Sequence, residues 1–218
     1  RASAAVLMRR RYDIRVPFLA MLQVRTIITL NKCAHNSHHS GMFHACFTQP
    51  LPRPADRLNP MRFATWNVNS LRVRLPHVLQ FLQDEQCDVI GLQETKVDDD
   101  KFPEDEIRKL GYSCLFSGHK AYNGVAILTR DESVAVSDAS FGIPGYPDPQ
   151  KRLAAATITA QSGASFRFVC GYFPNGQAPG AAKYLYKLEW FCALRSAIEA
   201  RLRTDPNLIL VGDMNVAP

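Results

Sequence analysis

The sequence predicts an α/β sandwich built from two mixed β-sheets. Short apolar runs of strand length alternate with longer segments of helical period, as expected for strands connected by helices. Two of the runs, 153–159 and 166–172, are joined by Ser162-Gly163, which predicts a hairpin. Because hairpins form antiparallel pairs and helical crossovers form parallel pairs, we expect both kinds of pairing and not a purely parallel doubly wound sheet.

Eight strands are predicted from apolar runs bounded by Gly, Pro, Asn or Asp. In chain order they cover residues 62–68, 87–93, 112–116, 125–128, 134–136, 153–159, 166–172 and 207–211. A loop rich in Gly and Pro, 142–149, separates the fifth strand from the sixth. The runs are short enough for the strands of an ordinary globular domain.

Three helices are predicted between these strands. The first begins at Pro76, because proline suits the first helical turn, and the second runs from Pro103 to Gly111. The third and longest covers 181–203 and has a broad apolar stripe. The stripe consists of Leu185, Leu188, Trp190, Phe191, Leu194, Ile198 and Leu202. We interpret the acidic run Asp98-Asp99-Asp100, before the second helix, as a solvated loop and not as a metal site.

Length and composition are those of one globular domain with some additional chain. The 218 residues are 46% hydrophobic, which is enough to bury a core without disulfides. The six cysteines are scattered without C-x-x-C spacing, so we interpret them as reduced core thiols of an intracellular protein. No apolar run approaches the length of a membrane span, and we expect no membrane association.

The basic charge is concentrated in the first 60 residues. The whole chain has a net charge of +6, but residues 1–60 contain nine Lys and Arg against two acidic residues. This composition is typical of an organelle transit peptide and of translated sequence upstream of a true start. We favour the second, because Met61 directly precedes the first predicted strand. We therefore expect residues 1–60 to be a disordered leader and 61–218 to form the domain, with nucleic acid bound only by local patches.

Three of the predicted strands end in polar side chains that can do chemistry. Asn67 ends the first strand, Glu94 follows the second, and Gly212-Asp213-Met214-Asn215 follows the last. Ligand sites in sheet proteins with helical connections gather at such strand ends. Asp213 can hold a hard cation or take a proton from water, and Asn215 can donate a hydrogen bond without adding charge. A turn that merely closes a strand is the alternative for the last segment.

Four segments together resemble, in order and spacing, bacterial exonuclease III and its apurinic/apyrimidinic endonuclease relatives. The segments are M-R-F-A-T-W-N-V-N-S-L-R at 61–72, V-I-G-L-Q-E-T-K at 89–96, G-Y-F-P-N-G at 171–176 and G-D-M-N at 212–215. The resemblance implies the α/β sandwich of the endonuclease/exonuclease/phosphatase superfamily. G-D-x-N and a strand ending in Q-E are shared across that superfamily, including sphingomyelinases and inositol phosphatases. N-x-N-x-L-R together with L-Q-E-T-K is narrower and points to DNA repair.

The resemblance implies a metal site at the strand ends. It makes Asn67, Glu94, Asp213 and Asn215 metal-site residues, with Mg²⁺ or Mn²⁺ as the cofactor. It also makes Asp213 a group that binds or activates the attacking water and Asn215 a donor to the phosphoryl oxygens. The residue types agree, because magnesium is held by few carboxylates and leaves room for water and substrate oxygens.

The resemblance also implies contacts with the substrate. Tyr172 becomes a phosphate contact or proton relay, with Asn175 beside it, although an aromatic residue that ends a buried strand is commonly a core residue. Arg72, Arg74 and Tyr122 are placed in loops that lie against the DNA backbone in the family. Exposed loop residues without a role are the alternative for these three.

The function implied is that of a metal-dependent DNA phosphodiesterase of base excision repair. Such an enzyme, exodeoxyribonuclease III with apurinic/apyrimidinic endonuclease activity, acts on double-stranded DNA with abasic sites or 3′ ends. We expect a monomer in the bacterial cytoplasm and keep organelle targeting by the leader as an alternative. Two other functions stay open: a superfamily phosphatase or phospholipid phosphodiesterase, and a catalytically dead DNA-binding module.

The sequence departs from the family pattern at two places. Ser70 stands where the family usually has Gly, which matters if the turn there needs a positive φ. The family also carries, after G-D-x-N, a loop Asp and an S-D-H segment whose Asp-His pair completes the catalytic centre, and no such segment is found up to Pro218. We therefore expect a C-terminally truncated domain with an unprotected edge strand that is poorly active or unstable.

Overall fold

The computed structural model describes residues 26–30 and 61–216, in which nine strands and three α-helices are found. Strands β1 to β9 are Thr26–Leu30, Arg62–Asn67, Val89–Gln93, Tyr112–Ser117, Val125–Arg130, Val134–Phe141, Leu153–Ala160, Ser165–Tyr172 and Leu208–Asp213. Helices α1 to α3 are Leu71–Glu85, Glu104–Arg108 and Ala182–Thr204, and a 3₁₀ turn covers Asp99–Lys101.

The strands form two mixed sheets, as the sequence predicts. One sheet has the order β1-β2-β3-β5-β4, with β1, β2 and β3 parallel and the other pairs antiparallel. The other has the order β6-β7-β8-β9, antiparallel except for the parallel pair β8 and β9. Helix α1 connects β2 to β3 and helix α3 connects β8 to β9, so these two parallel pairs have the helical crossover that such a pair requires.

Apolar side chains fill three layers, one between the sheets and one beneath the helices on each outer face. Between the sheets, Phe63 packs edge-on against Phe166 and stacks with Phe168. Gly91 allows the two sheets to approach each other closely, because a Cβ there would be 2.9 Å from both the Cys170 sulfur and a Val211 methyl carbon. The layer under α1 and α2 includes Val78, Leu82, Ile107 and Tyr112, and the layer under α3 includes Trp190, Leu194, Leu153 and Phe173.

Helix α1 begins at Leu71, whereas the sequence analysis predicted that it begins at Pro76. Leu71 is fully buried and its N–H donates to the Thr95 carbonyl at 2.8 Å, so the segment turns into the helix as soon as it leaves the sheet. Pro76 lies inside the helix, where it removes one backbone hydrogen bond near the N-terminal end. Arg72 and Arg74 consequently belong to a helix and not to a loop.

The apolar stripe predicted for α3 is only partly buried. Trp190 and Leu194 face the sheet and are buried, whereas Leu185, Leu188 and Leu202 are 56%, 46% and 42% exposed. The apolar residues of this helix are distributed around its circumference, and only one side of the helix packs on the sheet. The sequence stripe was therefore too broad.

Two further predictions need correction. Strand β6 was predicted to end at residue 136, but it continues to Phe141 through a register shift between Ser137 and Ser140. The small and polar residues there do not have the apolar pattern from which strands were predicted. Of the thiols expected in the core, Cys87 and Cys170 are buried, but Cys192 is exposed on α3. Cys33 and Cys46 lie outside the described residues.

One strand, β1, lies within the segment expected to be a leader, where no strand was predicted. It pairs in parallel with β2, from Thr26 opposite Arg62 to Leu30 opposite Trp66. The rest of residues 1–60 lies outside the described part of the chain, so the expectation of a disordered leader stays a prediction. Among the helices that the structure describes, none has an apolar stretch long enough to cross a membrane.

Candidate functional site

The carboxyl ends of β2, β3 and β9 bring three of the predicted residues into direct contact. The side-chain nitrogen of Asn67 donates to Glu94 Oε1 at 2.7 Å and to Asp213 Oδ2 at 2.6 Å. Asn67 and Glu94 are buried, and Asp213 is half-buried. Because both carboxylate oxygens contact the same Asn67 nitrogen, they are no farther apart than the sum of those two distances. Residues that are far apart in the chain thus form one compact polar cluster.

The backbone beside Asn67 and Glu94 is held in unusual conformations. Asn69 and Glu94 have φ of 45° and 54°, in the left-handed region that residues other than glycine rarely adopt. The Asn69 N–H donates to Asn67 Oδ1 at 3.1 Å, and the Ser70 N–H donates to the Glu94 carbonyl at 2.8 Å. Ser70 itself has φ of 89°, a conformation that costs a residue other than glycine about 1 kcal/mol.

The turn after β9 fixes both oxygens of Asp213. Its Oδ2 accepts from Asn67, and its Oδ1 accepts from the backbone N–H of Asn215 at 3.1 Å. The side-chain nitrogen of Asn215 donates to the Phe173 carbonyl at 2.8 Å, and Lys187 Nζ donates to the Asn215 carbonyl at 2.7 Å. An amide nitrogen carries two hydrogens, and within residues 61–216 the Phe173 carbonyl accepts one of them, so the other can serve a ligand.

Tyr172, at the end of β8, joins the cluster through Glu94. Its hydroxyl hydrogen-bonds the Glu94 carboxylate, and its backbone lies opposite Asp213 in the β8–β9 register. Burial, the nearby Glu94 charge and that hydrogen bond raise the pKa of Tyr172 well above its ordinary value. The phenol therefore stays protonated, as a hydrogen-bond donor, throughout the physiological range.

Two cations at the site were missed by the sequence interpretation. Lys96 Nζ lies 3.0 Å from Glu94 Oε2 and donates to Asn69 Oδ1 at 2.6 Å. The guanidinium of Arg152 lies 4.9 Å from the Tyr172 ring centroid and donates to the Tyr172 carbonyl at 3.2 Å. Lys96 could have been found, because it is the last residue of L-Q-E-T-K, but no local pattern marks Arg152.

The remaining predicted residues are exposed or half-buried. Arg72 is exposed and Arg74 half-buried at the start of α1, where residues two positions apart project in different directions. Tyr122 lies in the turn between β4 and β5 and is 58% exposed. Asn175 is exposed, and its side-chain oxygen accepts from the Gln177 N–H at 3.0 Å. Asn175 thus stabilises its own loop.

The chemistry of the cluster fits a hard divalent cation. Glu94 and Asp213 supply two carboxylates, of which Lys96 compensates one charge. No group of three or more His, Cys, Asp and Glu side chains suited to a metal occurs within residues 61–216. Two carboxylates suit Mg²⁺ or Mn²⁺, which retain water or substrate oxygens as further ligands. Asn67 faces both carboxylates with its nitrogen, so its role here is to orient them, and its direct ligation of a metal stays a prediction.

Sequence comparison relates the chain to known nucleases. A model of the Endonuclease/Exonuclease/phosphatase family matches residues 64–218. The exodeoxyribonuclease III of Haemophilus influenzae is 34% identical over 164 residues, which cover 72% of this chain and 58% of that relative. The chain thus spans less than two thirds of the length of this relative.

Structural comparison gives the same result. A 3′ phosphatase from Neisseria, solved with a product DNA hairpin, is 42% identical with a TM-score of 0.66, over 72% of this chain and 59% of that chain. An AP endonuclease from Archaeoglobus fulgidus is 37% identical with a TM-score of 0.63, over 72% and 58%. These similarities confirm the predicted fold and the predicted relationship.

Proposed function

The chain belongs to the endonuclease/exonuclease/phosphatase family, and on that premise we propose that the protein is a divalent-metal-dependent DNA phosphodiesterase of base excision repair. The proposal is an exodeoxyribonuclease III with apurinic/apyrimidinic endonuclease activity, monomeric and acting in the bacterial cytoplasm. One observation carries it: the Asn67 amide joins the Glu94 and Asp213 carboxylates at the carboxyl ends of three strands. The similarity to exodeoxyribonuclease III supports DNA over other phosphodiesters.

The proposed substrate is double-stranded DNA with an abasic site or a 3′ end. The Neisseria relative was solved with a product DNA hairpin, which supports a DNA substrate for this chain as well. We assign Arg72, Arg74, Tyr122 and Asn175 to contacts with the DNA backbone. Such contacts place the duplex without reading its bases, which suits an enzyme that acts at lesions in any sequence.

The proposed cofactor is Mg²⁺, with Mn²⁺ as a substitute. Glu94 and Asp213 would hold it, with Asn67 and Asn215 beside them. When bound, such an ion polarises the phosphodiester and stabilises the charge that develops on its oxygens. The choice rests on the two carboxylates, since oxygen ligands and few charged groups are typical of magnesium sites.

The protein's own side chains supply the proton transfers and hydrogen bonds. Asp213 is oriented by hydrogen bonds to each of its oxygens, so its carboxylate is placed to take a proton from an attacking water. Tyr172 keeps its proton and can donate a hydrogen bond to a phosphoryl oxygen once its hydroxyl turns away from Glu94. The second amide hydrogen of Asn215 can donate in the same way. These donors meet the negative charge that grows in the transition state.

Incision of a duplex with a single abasic site tests the proposal. The full 218-residue chain is incubated with labelled duplex in Mg²⁺ or in EDTA, beside the Glu94→Gln variant. Glu106→Gln, on the exposed face of α2, is the matched control. We expect Mg²⁺-dependent incision on the 5′ side of the lesion, at least about 100-fold slower in Glu94→Gln and unchanged in Glu106→Gln.

Three outcomes would contradict the proposal. Incision that persists in EDTA, or in Glu94→Gln, would place the chemistry elsewhere. Hydrolysis of a phospholipid or an inositol phosphate without DNA incision would favour a superfamily phosphatase. Magnesium-dependent binding of DNA without any turnover would favour a DNA-binding module. A slow rate that still depends on Glu94 supports the proposal and also the expectation that this chain is poorly active.

A further inference from the structure

The turn between β4 and β5, residues 118–124, is attached at one end to the segment that follows Glu94. The Thr95 N–H donates to the Gly124 carbonyl at 3.2 Å, and the Lys96 N–H donates to the Asn123 carbonyl at 3.0 Å. The turn is therefore bonded to Thr95, the residue that directly follows Glu94 of the candidate site.

Two glycines allow this turn to lie directly on residues 95–97. A Cβ on Gly118 would be 2.2 Å from the Val97 carbonyl oxygen, and a Cβ on Gly124 would be 2.2 Å from the Thr95 hydroxyl oxygen. No side chain fits at either distance. The close approach therefore depends on glycine at both ends of the turn.

The other end of the turn is held by an ion pair. Asp99 Oδ1 accepts from the Gly118 N–H at 2.7 Å, and Asp99 Oδ2 accepts from Lys151 Nζ at 2.6 Å. Lys151 Nζ also donates to the Gly118 carbonyl at 2.8 Å. The Asp99–Lys151 ion pair thus binds both the N–H and the carbonyl of Gly118. We call Asp99 and Lys151 the clamp.

Neighbouring contacts extend the clamp along the turn. Asp98 Oδ1 accepts from the Lys120 N–H at 2.7 Å, and His119 Nε2 lies 3.2 Å from the Pro149 carbonyl oxygen. The acidic run that the sequence interpretation assigned to a solvated loop therefore binds backbone through two of its three carboxylates. Asp99 and Asp100 are nevertheless exposed, with 48% and 73% of their side chains accessible, as expected for a solvated loop.

We propose that Asp99 is a positioning residue, which with Lys151 fixes the turn so that Tyr122 is presented to DNA at the rim of the site. The inference rests on the proposed function, in which Tyr122 contacts the duplex. A turn that is already ordered loses little conformational entropy on binding, so releasing it weakens binding. Asp99 acts through Tyr122 and touches no reacting group. Its loss therefore raises Kd and KM and leaves kcat unchanged.

Binding measurements on the full chain test the clamp. Fluorescence anisotropy with an abasic-site duplex in EDTA gives Kd without cleavage. We expect Asp99→Ala to raise Kd roughly tenfold, and Asp99→Asn, which keeps the acceptor for Gly118, to raise it less. Asp100→Ala is the matched control, because its carboxylate contacts only Lys101 at 3.9 Å among the described ion pairs, and it should bind like the wild type.

A double variant separates positioning from direct contact. If Lys151 acts through the clamp, Lys151→Ala and the Asp99→Ala/Lys151→Ala double variant should bind DNA as weakly as Asp99→Ala alone. Amide hydrogen exchange of the DNA-free chain should become faster at Gly118 and Lys120 in Asp99→Ala and stay unchanged in Asp100→Ala. This readout depends on the clamp and not on DNA.

The outcomes distinguish the inference from the proposed function. If the wild-type chain does not bind the duplex, the proposed function fails and the role of the clamp in DNA binding fails with it. If the wild type binds but Asp99→Ala binds equally well, or Asp100→Ala weakens binding as much, the inference alone is overturned. An additive loss in the double variant would also overturn it, because Lys151 would then contact DNA itself.

Discussion

Asn67 holds together two groups that would otherwise repel each other. Its amide donates one hydrogen to Glu94 and one to Asp213, so the two carboxylates are held close together. Lys96 offsets part of their charge from the other side of Glu94. The energetic importance of Asn67 follows from this arrangement, because a buried carboxylate that loses its donor keeps the full cost of its desolvation.

The Asn67→Asp substitution tests this role of the amide. It replaces two donors by a third carboxylate, and we expect the free energy of unfolding at pH 7 to fall by about 3 kcal/mol. Urea unfolding at pH 7 measures this. Asn175→Asp, at an exposed position, is the control, and an equal loss in both variants would contradict the account.

The Tyr172→Phe substitution tests the role of the phenol. The pKa of Tyr172 is raised by burial and by Glu94, so the wild-type hydroxyl should remain a donor up to at least pH 10. We expect the substitution to lower kcat for abasic-site incision by about 10- to 100-fold. In the wild type, the rate should not fall below pH 10 through ionisation of Tyr172. Rate measurements from pH 6 to 10 check both points. Tyr146→Phe, in the loop before β7, should keep the wild-type rate, and a fully active Tyr172→Phe would show that the hydroxyl is not used.

The sequence predicts part of this site and not the rest, for physical reasons. Asn67, Glu94 and Asp213 could be identified because each ends a strand, and carboxyl ends of parallel strands meet at one edge. Arg152 could not, because its contact with Tyr172 is made between neighbouring strands and has no spacing along the chain. The direction in which the Asn67 amide points depends on a hydrogen bond from Asn69, which also has no sequence signal.

Among the structural elements, the contact between the two sheets determines where the site forms. The ring of Phe63, on β2, lies 5.5 Å from that of Phe166 and 6.1 Å from that of Phe168, both on β8. This packing sets the separation of the strand ends that carry Asn67 and Tyr172. The position of the site is therefore a property of the layer between the sheets.

The Phe63→Ala substitution measures this contribution. Removing a fully buried ring between two sheets should lower the free energy of unfolding by about 3–5 kcal/mol. Phe141→Ala, at a position that is 49% exposed on β6, should lower it by no more than about 0.5 kcal/mol. Urea unfolding followed by circular dichroism gives both values. A small effect at Phe63 would show that the sheets are not held by this layer.

Elements with strong local signals were predicted best. Strands β2 to β9 follow apolar runs, and their ends were placed within a few residues except for β6, whereas β1 was not predicted. The predicted start of α1 was wrong because proline is a strong sequence signal for the first turn of a helix, which favoured Pro76. The true start at Leu71 depends on a hydrogen bond to Thr95 in another segment, which the local sequence does not show. The stripe of α3 was too broad because a sequence does not show how much of a helix circumference its sheet covers.

For the molecule as a whole, buried titratable groups limit stability at high pH. Burial raises the pKa of the Cys87 and Cys170 thiols from 9.0 to about 12. In the unfolded chain these thiols lose their protons near pH 9, so above that pH the folded state binds more protons than the unfolded state. Stability is therefore fully present below pH 9 and is lost as the pH rises towards 12.

Unfolding measured between pH 8 and 11 under reducing conditions tests this prediction. The free energy of unfolding should fall with pH, and the slope should be smaller in Cys87→Ala, whatever the absolute stability of that variant. Cys192→Ala, at an exposed thiol, should keep the wild-type slope. Equal slopes in all three proteins would mean that the Cys87 thiol ionises as easily in the folded chain as in the unfolded one.

The whole-molecule arrangement is what makes distant segments into one site. The β2–β3 pair belongs to one sheet and the β8–β9 pair to the other, and both pairs end at the same edge of the sandwich. Strand patterns predict the ends of these strands but not which sheet each strand joins. The resemblance of the four motifs supplied that information, since a family fixes the topology that local patterns leave open.

The most direct test of the account is the binding of Mn²⁺ to the full chain, followed by electron paramagnetic resonance. We expect one Mn²⁺ per chain, with affinity reduced at least about 100-fold in Glu94→Gln and in Asp213→Asn, and unchanged in Asp84→Asn on the exposed face of α1. If either Glu94→Gln or Asp213→Asn bound Mn²⁺ with the affinity of the wild type, the claim that these strand ends form one metal centre would be contradicted.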